Sequence, residues 1–171
     1  YLWYRRRQRL PAAASVEIEK LRKPEYHPVA VKRILVPTRG VHTNDMVQFA
    51  AKVAKMHGAE VTALHVIEIP PTLPLDTFLQ EKLAVADSIM EQAQAIGREY
   101  DIPIEAQVKQ SRFAGETIVD LAKEGRYDLI ILGATPRAAG PTRSSLGTTV
   151  EHVVRSAPGR VWVLTGAPPT A

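Results

Sequence analysis

The chain has no cysteine in 171 residues. Disulfide staples, thiolate nucleophiles and cysteine-based metal sites are therefore excluded. No run of about 20 apolar residues is present, so nothing in the sequence as it stands spans a bilayer as a helix. The Gly-x4-Gly-Lys-Ser/Thr pattern is missing, and with it the lysine that such loops bring to phosphoryl transfer. His27, His42, His57, His65 and His152 are scattered without metal-ligand spacing. His65 reads as a satisfied core or rim histidine, Asp128 as a hydrogen-bonding or packing carboxylate, and His42 as a loop histidine that could meet a ligand. No nucleophile–base pair stands out, so no enzyme is expected.

The apolar fraction of 45% suffices for a core, and the length fits one α/β domain plus a tail. Charge is unevenly spread. Residues 1–33 carry nine Lys and Arg against three Glu, whereas the rest carries thirteen against fifteen. The basic character belongs to the N-terminal arm, and a basic globular surface for nucleic acid is not supported. The arm opens Tyr1-Leu-Trp3-Tyr4 followed by Arg5, Arg6, Arg7 and Arg9. Aromatics followed by an arginine cluster resemble the cytoplasmic end of a transmembrane helix, where rings favour the headgroup layer and Arg meets anionic lipid. Residues 1–9 are read in this way, with residues 3–9 against an anionic membrane surface. The competing readings are a nucleic-acid arm and a solvated tail. Residues 10–30, with Pro11, Pro24 and Pro28, read as an extended linker.

From residue 31 onward strands and helices alternate five times. Val31–Val36, ending at Pro37, reads as a buried strand. Met46, Val47, Ala50, Ala51 and Ala54 share one face of a helix capped by Asn44 or Thr43 and stopped at Gly58. Strands follow at 60–67, 104–109, 128–132 and 160–165, the third towards a sheet edge and the fourth central. Helices are expected over roughly 76–99 and 114–124, and a last one carries Leu146, Val150, Val153 and Val154. This alternation implies a doubly wound, mainly parallel five-stranded sheet with helices on both faces. Ligands on such sheets bind beyond the carboxyl ends of the strands where strand order reverses. The loop after strand one, Pro37 to Thr43, and the glycine loop after strand four, Gly133 to Gly147, are the candidates. In the latter, backbone N–H groups, a helix N-terminus and the hydroxyls of Ser144, Ser145, Thr148 and Thr149 suit phosphate. A solvent-facing loop without a ligand is the competing reading.

Ile34-Leu-Val-Pro37, Ala63-Leu-His-Val66, Asp128-Leu-Ile-Ile-Leu-Gly133, Gly147-Thr-Thr-Val-Glu-His-Val-Val-Arg-Ser and Arg160-Val-Trp-Val-Leu together resemble the universal stress protein family over about residues 31–166, leaving 167–171 as a tail. The resemblance implies an adenine nucleotide-binding or ligandless α/β domain that dimerises through its last strand, Val161–Thr165. The family's Gly-x-x-Gly-x9-Gly-Ser/Thr pattern is met by Gly133, Gly147 and Thr148. Its second glycine is Pro136 here, ten residues rather than nine precede Gly147, and Gly140 can take over part of the lost flexibility. The nucleoside-contacting Asp of strand one is replaced by Arg39, after Pro37 and Thr38. Val66 matches the position whose backbone meets adenine.

The nucleotide site implied comprises Pro37, Thr38, Arg39, Val66, Gly133, Ala134, Arg137, Gly140, Arg143, Gly147, Thr148 and Thr149. Its ligand would be ATP, AMP or cyclic di-AMP, with Mg²⁺ as a candidate companion. Arg39, Arg137 and Arg143 suit a polyanion, solvated arginines being the alternative. With the aromatic–arginine entry, the chain resembles the cytoplasmic C-terminal domain of amino-acid permeases of the amino acid–polyamine–organocation type. That likeness implies a regulatory domain at the cytoplasmic face of the cell membrane, partnered with a transmembrane domain. The alternative is a ligand-free dimerisation module, which a cation/proton antiporter could also carry.

Overall fold

The computed structural model describes residues 29–39, 43–134 and 146–165. The aromatic–arginine segment, most of the linker, His27, His42, Pro136, Arg137, Gly140, Arg143, Ser144, Ser145 and the tail lie outside these residues. The element order is β1 (Arg33–Thr38), α1 (Thr43–His57), β2 (Glu60–Glu68), α2 (Gln80–Glu99), β3 (Ile104–Ser111), α3 (Ala114–Glu124), β4 (Leu129–Ala134), α4 (Thr148–Ser156) and β5 (Arg160–Thr165). The five strands form one parallel sheet in the order β3-β2-β1-β4-β5.

Period-two alternation sends successive residues of the inner strands to opposite faces, and both faces are buried. Ile34 and Val36 of β1, Val61 and Ala63 of β2 and Leu129 and Ile131 of β4 pack with Met46, Val47 and Ala50 of α1 and with Met90, Ala93 and Ile96 of α2. Leu35, Leu64, Ile130 and Leu132 point the other way, to Ile118, Leu121 and Ala122 of α3 and Val150 and Val153 of α4. Each buried Val, Leu, Ile or Met side chain among them contributes about 1.5–3 kcal/mol relative to exposure.

The ends of several elements differ from the sequence reading. β1 does not stop at Pro37 but runs through it to Thr38, and it starts at Arg33 rather than Val31. Pro37 lacks an N–H, yet the β1–β4 register has already ended at Leu35–Ile130, so no ladder bond to β4 is lost there. Gly133 and Ala134 belong to β4, not to the loop after it, because they pair with Leu164 and Thr165 of β5. β4 is an interior strand; β1 holds the centre. β3 is an edge strand, as its polar alternates imply. Thr43 and Asn44 lie inside α1 rather than capping it, and α2 starts at Gln80 because the Pro70-Pro71 and Pro74 segment delays it. Leu146 precedes α4, and Val154 is exposed on it.

The start of β1 is tied to the start of β4. Asp128 Oδ2 accepts the backbone N–H of Lys32 at 2.8 Å and of Arg33 at 2.9 Å. Arg33 in turn donates to the Gly125 carbonyl, lies over the Tyr127 ring at 4.7 Å and pairs with Glu60 at 3.3 Å. Asp128 is thus the hydrogen-bonding carboxylate anticipated, fastening the chain's entry to the sheet's amino edge.

Candidate functional site: a cleft at the strand switch

β1 stays in register with β2 along six positions, from Arg33–Glu60 to Thr38–His65. It is in register with β4 at only two, Ile34–Leu129 and Leu35–Ile130. Connections to successive strands run to opposite sides at this junction, and among the described residues the β1–β4 register does not continue beyond Leu35. A cleft of about 440 Å³ opens there, within the range of small-molecule sites.

Its floor and walls come from every neighbouring element. Pro37, Thr38 and Arg39 enter from β1, and Gly133 and Ala134 from β4. Gly147, Thr148 and Thr149 enter at the start of α4, and Val66 comes from β2. These nine were singled out in the sequence, and the fold brings them to one cavity. Arg137, Gly140 and Arg143 lie outside the described residues. Further lining was not anticipated: Met46 of α1, Leu64 and Glu68 of β2, Ala114 and Ile118 of α3, and Leu132, Leu146 and Val150. Ending β2 at Ile67 removed Glu68 from view. The alternation Leu64, Val66, Glu68 is the signal that carries it, since those side chains share a face.

The cleft is chemically divided. Leu64, Val66, Ile118, Leu132 and Val150 make one apolar side. Beside this apolar lining, Gly147 precedes α4 with φ +92° and ψ 151°, a conformation that favours glycine. The first turn of α4 then offers the Thr148 and Thr149 hydroxyls and the positive end of the helix dipole. At the mouth, Arg39 Nη2 lies 3.9 Å from Glu68 Oε2. Glu68 Oε1 accepts the Ala114 N–H of α3 at 3.3 Å. Among the described lining residues Glu68 is the one carboxylate, and no group of three His, Asp or Glu that could hold a metal occurs among the described residues.

Behind the mouth, the Thr38 hydroxyl, itself buried, donates to the Leu64 carbonyl at 3.2 Å. The same oxygen lies 3.2 Å from His65 Nδ1, so Nδ1 is the protonated nitrogen while that hydroxyl bond stands. Burial lowers the His65 pKa from its ordinary 6.5, and a hydrogen bond to Thr38 acts in the opposite direction. His65 is therefore the half-buried rim histidine expected, held against the strand-one threonine.

A parallel sheet of order 3-2-1-4-5 with a cleft at its switch and a glycine-led helix start defines a class of doubly wound α/β domain. The universal stress protein family model matches residues 30–165, and the chain belongs to that family. The chain is similar to universal stress protein UspA from Lactobacillus plantarum: 31% identity, covering 80% of this chain and 99% of that one, with a TM-score of 0.66. It shares its fold with a universal stress protein from Archaeoglobus fulgidus in complex with dAMP, at 19% identity, 79% and 98% coverage and a TM-score of 0.61. A universal stress protein in complex with cAMP shares it likewise, at 18% identity, 80% and 98% coverage and a TM-score of 0.61. Comparison with curated proteins gave no match.

Proposed function

We propose that the cleft binds an adenine nucleotide and that the domain regulates a membrane amino-acid transporter from the cytoplasmic face, without catalysing a reaction. The observation that carries the ligand reading is the division of the cleft. An apolar side suits a base, and Gly147 with the α4 N-terminus suits a phosphate. Two proteins of the same fold are described in complex with dAMP and cAMP, which supports the same ligand class here. Val66 and Thr38 would flank the base and sugar, and Thr148 and Thr149 the phosphate. Arg137 and Arg143 would add charge from the loop. The cleft shows one carboxylate among its described residues, which gives Mg²⁺ little to bind besides the phosphates themselves.

The transporter reading rests on Tyr1-Leu-Trp3-Tyr4 and the arginines at 5, 6, 7 and 9. Among the described residues no helix is long and apolar enough to cross a membrane. Ligand occupancy would bias the attached partner by differential affinity for two arrangements of the domain or its dimer.

A second reading, a dimerisation module without ligand, is favoured by β5. It ends the sheet, and Trp162 stands 39% exposed against Phe49 of α1, also 39% exposed, with ring centroids 5.8 Å apart. A homodimer through Val161–Thr165 fits either reading. Calorimetric titration of the chain with AMP, ATP and cyclic di-AMP, with and without Mg²⁺, separates them. Micromolar binding weakened by Arg143→Ala supports the sensor. A folded dimer that gives no heat with any of the three supports the module. Transport by an intact carrier that is unchanged on removal of this domain, with or without nucleotide, would refute regulation.

A further inference from the structure

We infer that Glu68 is the residue by which this cleft reads the hydroxyl groups of its ligand, with Arg39 acting as its charge partner. The inference rests on the nucleotide reading above and specifies the ligand as one that presents free sugar hydroxyls.

Leu64, Val66 and Glu68 form one row along β2, passing from the buried floor to the rim. A ligand whose base lies on the apolar part and whose phosphate reaches the α4 N-terminus has its sugar between them, at the rim. There Glu68 is the carboxylate available. An ionised carboxylate only accepts, so it selects a ligand group that donates. Its orientation is fixed: Oε1 takes the Ala114 N–H at 3.3 Å. Oε2 lies 3.9 Å from Arg39 Nη2, too long for a hydrogen bond, so the Arg39 contact leaves the Oε2 lone pairs unspent.

A lone carboxylate beside a phosphate site would repel the ligand. Arg39, one residue beyond β1, faces it across the mouth and offsets that charge, and the α3 N-terminus offsets it from the other side. The positive charge at position 39 is thus paired with a negative one contributed by β2. The pair is neutral overall and keeps one strong acceptor in place. Glu68 is half-exposed and Arg39 largely so, which leaves both accessible to a ligand at the rim.

The test is titration of the whole 171-residue chain and of Glu68→Gln, Glu68→Asp and Arg39→Ala with AMP, 2′-deoxy-AMP, 3′-deoxy-AMP and IMP. The unmodified chain is expected to favour AMP over at least one deoxy analogue by about tenfold or more, the size of one hydrogen bond to a charged acceptor. Glu68→Gln is expected to erase that preference, while its affinity for the disfavoured deoxy analogue stays within about threefold of the unmodified chain. Glu68→Asp is expected to keep part of the preference. Arg39→Ala is expected to weaken all four ligands alike and leave the preference in place. If Glu68→Gln keeps the full preference, or if it instead loses discrimination between AMP and IMP, the hydroxyl-reading role is overturned and the nucleotide reading stands. If the unmodified chain, folded by circular dichroism, binds none of the four, the hydroxyl-reading role is overturned, and the nucleotide reading falls with it when ATP and cyclic di-AMP also give no heat.

Discussion

Gly147→Ala isolates the backbone requirement of the cleft. Among the described residues, a Cβ placed on Gly147 meets no atom within 4 Å, so these neighbours do not crowd it. What remains is the torsion pair φ +92°, ψ 151°, which a residue with a side chain adopts at a cost of about 1–3 kcal/mol. At roughly 3 °C per kcal/mol for a domain of this size, melting should fall by about 3–10 °C. The strain sits where the backbone turns into α4, so any relaxation that relieves it re-aims the Thr148 and Thr149 N–H groups. AMP affinity should then fall at least tenfold even where melting partly recovers. Gly58→Ala is the control. Gly58 ends α1 at φ +66°, also with nothing within 4 Å of a built Cβ, and it is not among the cleft residues. It should lower melting by a few degrees, on the order of 1–2 kcal/mol, and leave AMP binding alone. Differential scanning fluorimetry and calorimetric titration on both variants decide the matter. An unchanged melting temperature for Gly147→Ala would refute the strain assignment, and equal losses of binding in both variants would refute its local effect on the cleft.

Because burial lowers the His65 pKa in the fold, protonation is easier in the unfolded chain. The stability tied to neutral His65 is therefore complete above about pH 6.5 and is lost as pH falls through that value towards the folded pKa. Between pH 7.5 and 5.5 the unmodified chain should lose more melting temperature than His65→Gln; equal losses would contradict it. Asp128→Ala removes the acceptor for two backbone N–H groups and should cost about 1–3 kcal/mol in urea unfolding, with nucleotide affinity unchanged. Arg126 follows α3 at φ +51°, where glycine is the better residue. Arg126→Gly should raise stability by about 0.5–1 kcal/mol, and a fall would indicate that the Arg126 side chain makes a contact of greater value.

The alternation of elements was legible because apolar residues recur with the right period: Met46, Val47, Ala50, Ala51 and Ala54 of α1 are all buried, as their spacing implied. β5 was legible to the residue, bounded by Gly159 and a Pro-rich end. The carboxyl ends of β1, β2 and β4 were not. Pro37 and Gly133 read as punctuation, yet a strand can carry both where its ladder is one-sided or where a neighbour's pairing continues. Those same ends build the cleft, so the strand limits that propensity misjudged are the functional ones. Of the twelve site residues named from loop chemistry and the family resemblance, nine lie among the described residues and line the cleft. Ile118, Leu132 and Val150 went unnamed as site residues because a side chain facing both core and cavity looks, in sequence, like core alone. Glu68 and Ala114, 46 residues apart, meet only through the sheet's crossover.

The tether of Lys32 and Arg33 to Asp128 lies at the opposite end of the sheet from the cleft. The polypeptide joins the sheet at its amino edge, whereas the cleft lies at the carboxyl edge, one six-residue strand away or about 20 Å. Nothing bound in the cleft can touch the point of entry. β1, β2 and β4 all reach from the tether to the cleft, so a ligand proposed there would act on the point of entry through these strands. The two-position register between β1 and β4 is the shortest in the sheet.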